Sequence, residues 1–528
     1  MTAPSTTSTS RAPRSRAWSL VAWTLLAAAF LVRVLPFLEP STRLLRQYPT
    51  EDGYLMLTIG RNLALGNGMS TAEGTIPTNG TQPLATFLYA AGYALFDGGK
   101  VAGVAFALVL QVLAGLATVF ALHRLARRLL ASEGERAGFA AGLAAVLWYV
   151  SPLATAHGLN CLETGFYGLA VVLFADAFLR RHPVGGGGGY RRALEAGACA
   201  GLVLWVRLDA VFLLAAACLA WAFLDGRARL SFDRARFLQA SALGVVATLV
   251  IAPWLVHNRI EFGSFMPISG RAESWAAGFG SNLPHLAAVL AEYVLLVVQI
   301  PARLELHPAV VAGGAVVAVA FVALVVRALR GAPAAPRLVA LVVGLYALGM
   351  CGYYGLVFGA PWFLSRYFFP LSAFTAIVLG AAIARGLEQR PPRAIVAAAA
   401  ALVVAAATFL HVRTWRRGLD HQHLQVVEWV TANVPESTWV AAVQTGTVGY
   451  FHDRTINLDG KVNPEALAAV LARRIPQYVL GKPVEYIADW EGVAGWAELP
   501  EFEGRFEVLV HDREKNLAVL RRKDAHGR

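Results

Sequence analysis

The chain has 528 residues, of which 57% are hydrophobic and only 15% are charged, with a formal net charge of +12. Together with a mean hydropathy of +0.53, this composition excludes one large soluble domain, whose surface needs more polar side chains, and also excludes a disordered chain. Long apolar runs rich in Ala, Leu and Val predict membrane-spanning helices rather than the short alternating strands of a membrane barrel.

The chain begins with a polar, arginine-containing tail over residues 1–17. An apolar run follows over residues 18–38, interrupted only by Arg33. The run ends in the bulky sequence Phe37-Leu38-Glu39-Pro40 and is longer than the core of a cleaved signal peptide. We therefore expect an uncleaved first span and a cytoplasmic N-terminus.

Ten further apolar runs predict membrane spans, which gives eleven in all. They lie at residues 101–122, 137–157, 164–179, 193–206, 210–224, 237–256, 308–326, 338–359, 367–384 and 394–410. Two other apolar segments are not expected to cross. Residues 83–96 are too few for a span of roughly 20 residues, and residues 284–302 contain Glu292 and end near Pro301.

Arginine-rich loops set the predicted orientation. The loops lie around residues 124–136, 180–192, 227–236, 327–337 and 385–393, and they share one side only when 83–96 and 284–302 do not cross. Basic loops face the cytoplasm, so the excess positive charge is topological and no nucleic-acid partner is expected. The chain is then a multi-pass protein of a bacterial plasma membrane, with its C-terminus outside.

The composition changes to mixed polar and apolar residues from about residue 412. Alternating patterns predict strands over 439–443 and 506–510, and helical periodicity predicts helices over 422–433 and 464–475. The predicted fold is an all-α membrane bundle of about eleven transmembrane helices over residues 18–411. A small extracytoplasmic α/β domain over residues 412–528 completes it.

Two adjacent acids, Glu51 and Asp52, stand in the long first outer loop over residues 39–82. Neighbouring carboxylates split their pKa values, which can prepare one of them as a general base. The alternative is a pair of first-turn acids that stabilise a helix through its dipole.

Charged residues also mark the other outer segments. Glu163 lies at the mouth of a span, and Arg207 stands two residues before Asp209, with which it could simply pair. Arg271 and Arg366 lie on the outer side, against the positive-inside tendency. A guanidinium matches phosphate oxygens, although contact with lipid headgroups is the alternative. A base, cations and an apolar groove together predict a glycosyltransferase that uses a sugar on a polyprenyl phosphate.

Several motifs resemble membrane glycosyltransferases of the GT-C fold, and the resemblance extends over most of the chain. The similarity is to the bacterial branch related to aminoarabinose–lipid A transferases, protein mannosyltransferases and mycobacterial arabinosyltransferases. The similar segments are 51–54 with 59–68 (the first acidic motif and its helix), 77–96, 158–164 (a second acidic motif), 205–209, 366–370, 446–451 and 457–460.

The resemblance implies a single inverting displacement. Glu51 or Asp52 would take the proton of an acceptor hydroxyl or amine as it attacks the sugar on its polyprenyl-phosphate donor. Alignment by position assigns the base to Glu51, and alignment by residue type assigns it to Asp52. The acceptor would be an envelope glycan, lipid or protein.

The same resemblance implies a set of substrate-binding residues. Arg366, with Arg207 or Arg271, would neutralise the departing phosphate, and Glu163 would orient the acceptor or hold a divalent cation. The further members of the predicted set are Tyr367, Tyr54 and Asn79. No cofactor is required by this chemistry, although some relatives use a divalent metal ion.

Two other classes of protein remain alternatives. A transporter or flippase of lipid-linked sugars would need polar groups along a route through the membrane, often with inverted repeats. A membrane sugar-binding protein without catalytic activity would retain the donor site but not the base.

Overall fold

The computed structural model describes residues 12–275, 277–361, 364–389, 392–417 and 423–523. Most of the predicted N-terminal tail, residues 1–11, therefore lies outside the described residues. The same holds for residues 418–422, near the predicted start of the outer domain, and for residues 524–528 at its end.

The first part of the chain is a helical bundle with one short hairpin. The helices are α1 (Ala12–Val34), α2 (Ser41–Gln47), α3 (Glu51–Ala64), α4 (Pro83–Leu95), α5 (Lys100–Leu129), α6 (Arg136–Val150), α7 (Pro152–Gly158), α8 (Thr164–Arg181), α9 (Gly189–Val206), α10 (Val211–Phe223), α11 (Arg234–Phe262), α12 (Ile268–Ser274), α13 (Leu283–Leu295), α14 (Pro308–Leu329), α15 (Ala334–Leu356), α16 (Leu364–Phe368), α17 (Leu371–Glu388) and α18 (Arg393–Arg417). The hairpin strands, β1 (Ser70–Thr71) and β2 (Ile76–Pro77), lie in the first outer loop.

Within the described residues, seven helices are long and apolar enough to cross a membrane, and α6 with α7, bent by 60°, forms an eighth candidate. The other three predicted spans are the helices α8, α9 and α10. Helices α8 and α9 carry three charged residues each, and α10 has 13 residues. All eleven predicted runs are thus helical, while a count of eleven complete spans stays a prediction.

The two segments that were not expected to cross are short helices. Helices α4 and α13 have 13 residues each, which corresponds to about 20 Å at the rise of an α-helix. A hydrocarbon core is about 30 Å thick. Helix α10 has the same length, so the expectation that residues 83–96 and 284–302 do not span the membrane stays a prediction.

The C-terminal domain, called the outer domain after its predicted side of the membrane, contains a five-stranded sheet with helices packed on it. Its strands are β3 (Trp439–Ala442), β4 (Thr455–Asn457), β5 (Val484–Asp489), β6 (Phe506–Asp512) and β7 (Leu517–Arg522), in the order β4-β3-β5-β7-β6. Strand β3 pairs parallel with β4 and β5, and β7 pairs antiparallel with β5 and β6. The helices are α19 (Leu424–Asn433), α20 (Gly446–Phe451), α21 (Pro464–Leu471) and α22 (Ile475–Leu480).

The predicted combination of an all-α bundle and a small α/β domain is confirmed, as are the strands near 439–443 and 506–510. The prediction of one helix over 464–475 was wrong at its C-terminal end, because α21 ends at Leu471. Arg473 adopts a left-handed backbone conformation with φ of 56°, which ends α21 before the chain enters α22.

The outer domain packs on the first outer loop. The ring of Tyr450 in α20 lies 4.9 Å from the ring of Tyr54 in α3. The Tyr450 hydroxyl donates to the Lys100 carbonyl at 2.6 Å and shares a 2.8 Å hydrogen bond with Tyr93. The first outer loop and the C-terminal domain therefore lie on the same side of the bundle.

Candidate active site

The start of α3 fixes the acidic pair in place. Thr50 caps the helix, because its Oγ1 accepts a hydrogen bond from the Gly53 amide at 3.2 Å. The Thr50 amide and Oγ1 both donate to the Asn160 carbonyl at 3.2 Å. Gly53 has to be small, since a Cβ there would overlap the Asn160 carbonyl oxygen. The first acidic motif is thereby held against the second one.

Glu51 and Asp52 point in different directions, as consecutive residues of a helix do at about 100° per residue. Glu51 is 6% exposed and accepts a hydrogen bond from the Gly446 amide at the start of α20. Burial raises the pKa of the Glu51 carboxyl to about 8, and the adjacent Asp52 adds to that rise. Glu51 therefore forms part of the contact with the outer domain.

Asp52 lines a cavity of about 250 Å³ between the outer ends of the helices and the outer domain. Its Oδ2 accepts a hydrogen bond from Arg366 Nη1 of α16 at 2.5 Å. Arg366 also donates to the Tyr367 hydroxyl at 3.2 Å and lies over that ring, 5.1 Å from its centroid. The structure thus brings together the predicted base and the predicted phosphate-binding arginine.

A second charged cluster lies in the same cavity, around Arg207. Arg207 donates to Glu163, to Asp209 at 2.8 Å and to the Tyr354 hydroxyl at 3.2 Å. Tyr354 in turn donates to Asp209 at 2.6 Å. Arg207 therefore pairs with Asp209, as the sequence allowed, and also with the second acidic motif at Glu163.

Aromatic rings join the two clusters. The Tyr354 and Tyr367 rings stack at 4.2 Å with an angle of 12° between their planes. The guanidinium of Arg207 lies 4.9 Å from the centroid of the Tyr367 ring, which Arg366 also contacts. Tyr367 is thus in contact with both arginines, and the contacts are favourable cation–π interactions.

Sequence reasoning missed two charged residues that line the cavity, Lys461 and Glu273. Lys461 Nζ lies 2.8 Å from Glu273 Oε1 and 3.8 Å from Asp459 Oδ2. Lys461 directly follows the 457–460 motif, but no pattern in the sequence connects that motif to the first outer loop. Glu273 follows the predicted Arg271 by two residues, so a search of that segment for acids would have found it.

Three residues of the predicted substrate-binding set lie away from the cavity lining. Tyr54 is buried in the core beneath Tyr450. Asn79 is buried and hydrogen-bonds to Asn258 and to the Ile268 amide, both at 3.1 Å. Arg271 is exposed on α12. Tyr54 and Asn79 therefore anchor the first outer loop rather than face the cavity.

A divalent metal ion in the cavity would have to be held by its carboxylates. Among the described residues, no group of three His, Cys, Asp or Glu is placed to hold one. Asp52, Glu163 and Glu273 each pair with an arginine or lysine. Mg²⁺ and Ca²⁺ require several oxygen ligands around the ion, and this donor set does not fit that requirement.

Comparisons at the level of sequence match only the C-terminal part of the chain. A family model described as a domain of unknown function (DUF8728) matches residues 413–518, which is most of the outer domain. A comparison with curated protein sequences gives no match.

Comparison with solved structures covers nearly the whole chain. ArnT from Cupriavidus metallidurans bound to undecaprenyl phosphate is similar with a TM-score of 0.57 and 14% identity, over 96% of this chain and 98% of that one. The apo oligosaccharyltransferase of Archaeoglobus fulgidus is similar with a TM-score of 0.52 and 16% identity, over 92% and 73% of the two chains. The chain has the GT-C fold.

A second structure of the archaeal enzyme agrees with this assignment. AglB from Archaeoglobus fulgidus, in complex with an inhibitory peptide and a dolichol-phosphate, is similar with a TM-score of 0.53 and 14% identity, over 92% of this chain and 72% of that one. The GT-C fold and the apolar helices together make the chain a multi-pass membrane protein. The expected resemblance in fold is thereby confirmed.

Proposed function

We propose that the protein is an integral-membrane glycosyltransferase. It moves a sugar from a polyprenyl-phosphate donor to a hydroxyl or amine of an acceptor at the outer face of a bacterial plasma membrane. The acceptor is an envelope glycan, lipid or protein. The observation that carries this proposal is the cavity itself, in which the carboxylate of Asp52 is paired with Arg366 and shares the lining with Arg207 and Lys461.

Asp52 is the proposed general base, because its carboxylate faces the cavity while that of Glu51 is engaged by the Gly446 amide. It would take the acceptor proton as the acceptor oxygen or nitrogen bonds to the anomeric carbon. The bond between that carbon and the phosphate oxygen breaks on the opposite side, and polyprenyl phosphate leaves with the electron pair. One displacement of this kind inverts the anomeric configuration.

Arg366 and Arg207 are proposed to stabilise the negative charge on the departing phosphate. Their contacts with Tyr367 and Tyr354 hold both guanidinium groups in place before the donor binds. Donors that are already oriented stabilise a developing charge without reorganisation. We propose that Glu163 orients Arg207, since the two side chains are ion-paired.

An apolar wall supports a lipid-linked donor. Leu55, Met56, Leu162, Val211, Phe212, Met266 and Phe358 line the cavity together with the charged groups. Val211 and Met266 are about half exposed, at 48% and 47%, so part of this apolar lining lies at the surface of the protein. The similar ArnT and AglB structures contain undecaprenyl phosphate and a dolichol-phosphate, respectively, which supports a polyprenyl-phosphate donor here.

We propose that the reaction proceeds without a divalent metal ion. Positive charge is supplied by Arg366, Arg207 and Lys461, and the cavity carboxylates are paired with these same side chains. Transfer should therefore persist after dialysis against EDTA, with release of polyprenyl phosphate as the readout. Loss of transfer that added Mg²⁺ or Mn²⁺ restores would contradict this part of the proposal.

A transporter is less well supported than an enzyme. The charged residues inside the helices have local partners: Arg33 donates to the Ala29 and Tyr149 carbonyls, and Asp176 pairs with Arg124 at 2.8 Å. Glu195 pairs with Arg181 and Arg192 at 3.1 Å. Such pairs favour a structural role, whereas a transporter needs polar groups along a continuous route.

The direct test is sugar transfer by the purified protein. A panel of polyprenyl-phosphate sugars is supplied with an extract of envelope lipids and glycans, and polyprenyl phosphate is measured as the released product. A reaction without the protein is the control for breakdown of the donor. If no donor in the panel yields more product with the wild type than without the protein, the proposed activity is excluded for those donors.

A further inference from the structure

Lys461 is the residue that the outer domain contributes to the described lining of the cavity. The other lining residues belong to the bundle and its outer loops. The family model that matches residues 413–518 describes a domain of unknown function. The contacts of this domain with the cavity therefore indicate its role.

The backbone around Lys461 is fixed from two directions. Gly460 adopts φ of 81° and donates to Asn457 Oδ1 at 3.0 Å, while the Lys461 amide donates to Asp459 Oδ1 at 2.9 Å. The Lys461 carbonyl lies against Gly80 of the first outer loop, where a Cβ would overlap the carbonyl oxygen. The position of the side chain is therefore set by the docking of the outer domain on that loop.

The side chain of Lys461 is 16% exposed and forms an ion pair with Glu273. Burial opposes the charge, but Asp52, Asp459 and Glu273 together raise the pKa of Lys461 well above its usual range. Its ammonium group thus pairs with Glu273 in the wall of the cavity and interacts electrostatically with the carboxylate of Asp52. A purely structural ion pair with Glu273 would not need a place in the cavity wall.

We propose that Lys461 binds the phosphate of the donor together with Arg366 and Arg207, so that the outer domain completes the donor site. This inference rests on the proposed function. An ammonium group has three donors and binds phosphate as a point charge. When the donor enters, Lys461 would exchange the Glu273 carboxylate for a phosphate oxygen.

The experiment measures binding of undecaprenyl phosphate to the purified full-length protein in detergent. Lys461→Met should weaken binding about 10- to 100-fold, the effect of losing a hydrogen bond to a charged group. Lys461→Arg should retain most of the affinity. Lys482→Met is the matched control, because Lys482 lies in the same domain, pairs with Glu465 at 2.6 Å and is not part of the cavity lining.

Glu273→Gln separates a phosphate ligand from a structural ion pair, since the two roles predict opposite signs. If Lys461 binds phosphate, the Glu273 carboxylate competes with that phosphate for the Lys461 ammonium group. Glu273→Gln should then tighten the binding of undecaprenyl phosphate roughly 2- to 5-fold. If the pair only holds the outer domain in place, Glu273→Gln should weaken binding as Lys461→Met does. This variant keeps the proposal testable even if Lys461→Met fails to fold.

Arg366→Ala in the same assay distinguishes a failure of the role proposed for Lys461 from a failure of the proposed donor site. Weaker binding by Arg366→Ala but unchanged binding by Lys461→Met would overturn the role of Lys461 and leave the donor site intact. Unchanged binding by both folded variants would overturn the donor site itself.

Discussion

Asp52 and Arg366 lie 314 residues apart in the chain, and their side chains form an ion pair at 2.5 Å in the wall of the cavity. Without a donor, the proposed base Asp52 and the proposed phosphate ligand Arg366 are therefore paired with each other. A donor phosphate would compete with Asp52 for Arg366, which would release the carboxylate to accept a proton. In the proposed mechanism, donor binding would therefore prepare the base.

The first prediction separates the two acids of the first outer loop. Asp52→Asn keeps the size of the side chain but cannot accept a proton, so the rate of sugar transfer should fall about 10²- to 10⁴-fold. Glu51→Gln should cost much less, because Glu51 faces the outer domain. Single-turnover transfer at saturating donor checks both variants. A larger loss in Glu51→Gln would move the base to Glu51, and wild-type rates in both folded variants would place the catalytic centre elsewhere.

The second prediction concerns Arg366. Arg366→Ala should raise the dissociation constant of the donor about 10- to 100-fold, because it removes a charge-assisted hydrogen bond to phosphate. Arg454→Ala is a suitable control, since Arg454 forms an exposed ion pair with Glu73 at 2.7 Å. Donor affinity that is equal in the two variants and in the wild type would remove Arg366 from the donor site.

The third prediction concerns the buried Glu51 carboxyl, whose pKa burial raises to about 8, against about 4.3 in an unfolded chain. The folded state then binds this proton more tightly than the unfolded state does. The stability that Glu51 contributes is full below about pH 4 and is lost as the pH rises to about 8. The measurement is the apparent Tm of the wild type and of Glu51→Gln between pH 5 and 9. As the pH rises, the Tm of Glu51→Gln should increase relative to that of the wild type. A Tm difference that does not change with pH would contradict the raised pKa of Glu51.

The fourth prediction concerns the docking of the outer domain. Gly446→Ala should lower both sugar transfer and thermal stability, because a Cβ there would overlap the Glu51 carbonyl oxygen and push α20 away from α3. Gly449→Ala lies in the same helix, where the added Cβ meets Thr455 at an ordinary 3.7 Å. It should be neutral or stabilise by about 0.5–1 kcal/mol. Equal effects of the two substitutions would show that the close contact at Gly446 does not matter.

The fifth prediction concerns the side of the membrane. Ser437 in the outer domain and Arg229 in a basic loop are both exposed, so cysteines placed there can react with a reagent if it reaches them. In intact cells, an impermeant thiol reagent should label Ser437→Cys and spare Arg229→Cys, relative to the parent protein. Equal labelling of the two sites, or the reverse pattern, would contradict the predicted orientation.

The sequence by itself determined the features that depend on local composition and spacing. Apolar runs located the helices of the bundle, and the change of composition near residue 412 located the outer α/β domain. The acids at the start of α3 and the arginine at position 366 stood out because they occupy outer segments where hydrophobicity and charge rules leave them unexplained. Each of these signals is contained in a short stretch of neighbouring residues and needs no knowledge of long-range contacts.

Only the tertiary structure decided which of these residues meet. Glu51 and Asp52 are equivalent in the sequence, and they differ because the Gly446 amide of the outer domain lies on one side of α3 and Arg366 of α16 lies on the other. Lys461 enters the cavity through a domain contact that no local pattern encodes. Tyr54 and Asn79 looked like substrate-binding residues because they stand in the right motifs, yet packing buries them. Contacts between residues hundreds of positions apart depend on how helices and domains pack, and a single sequence contains no local signal for that packing.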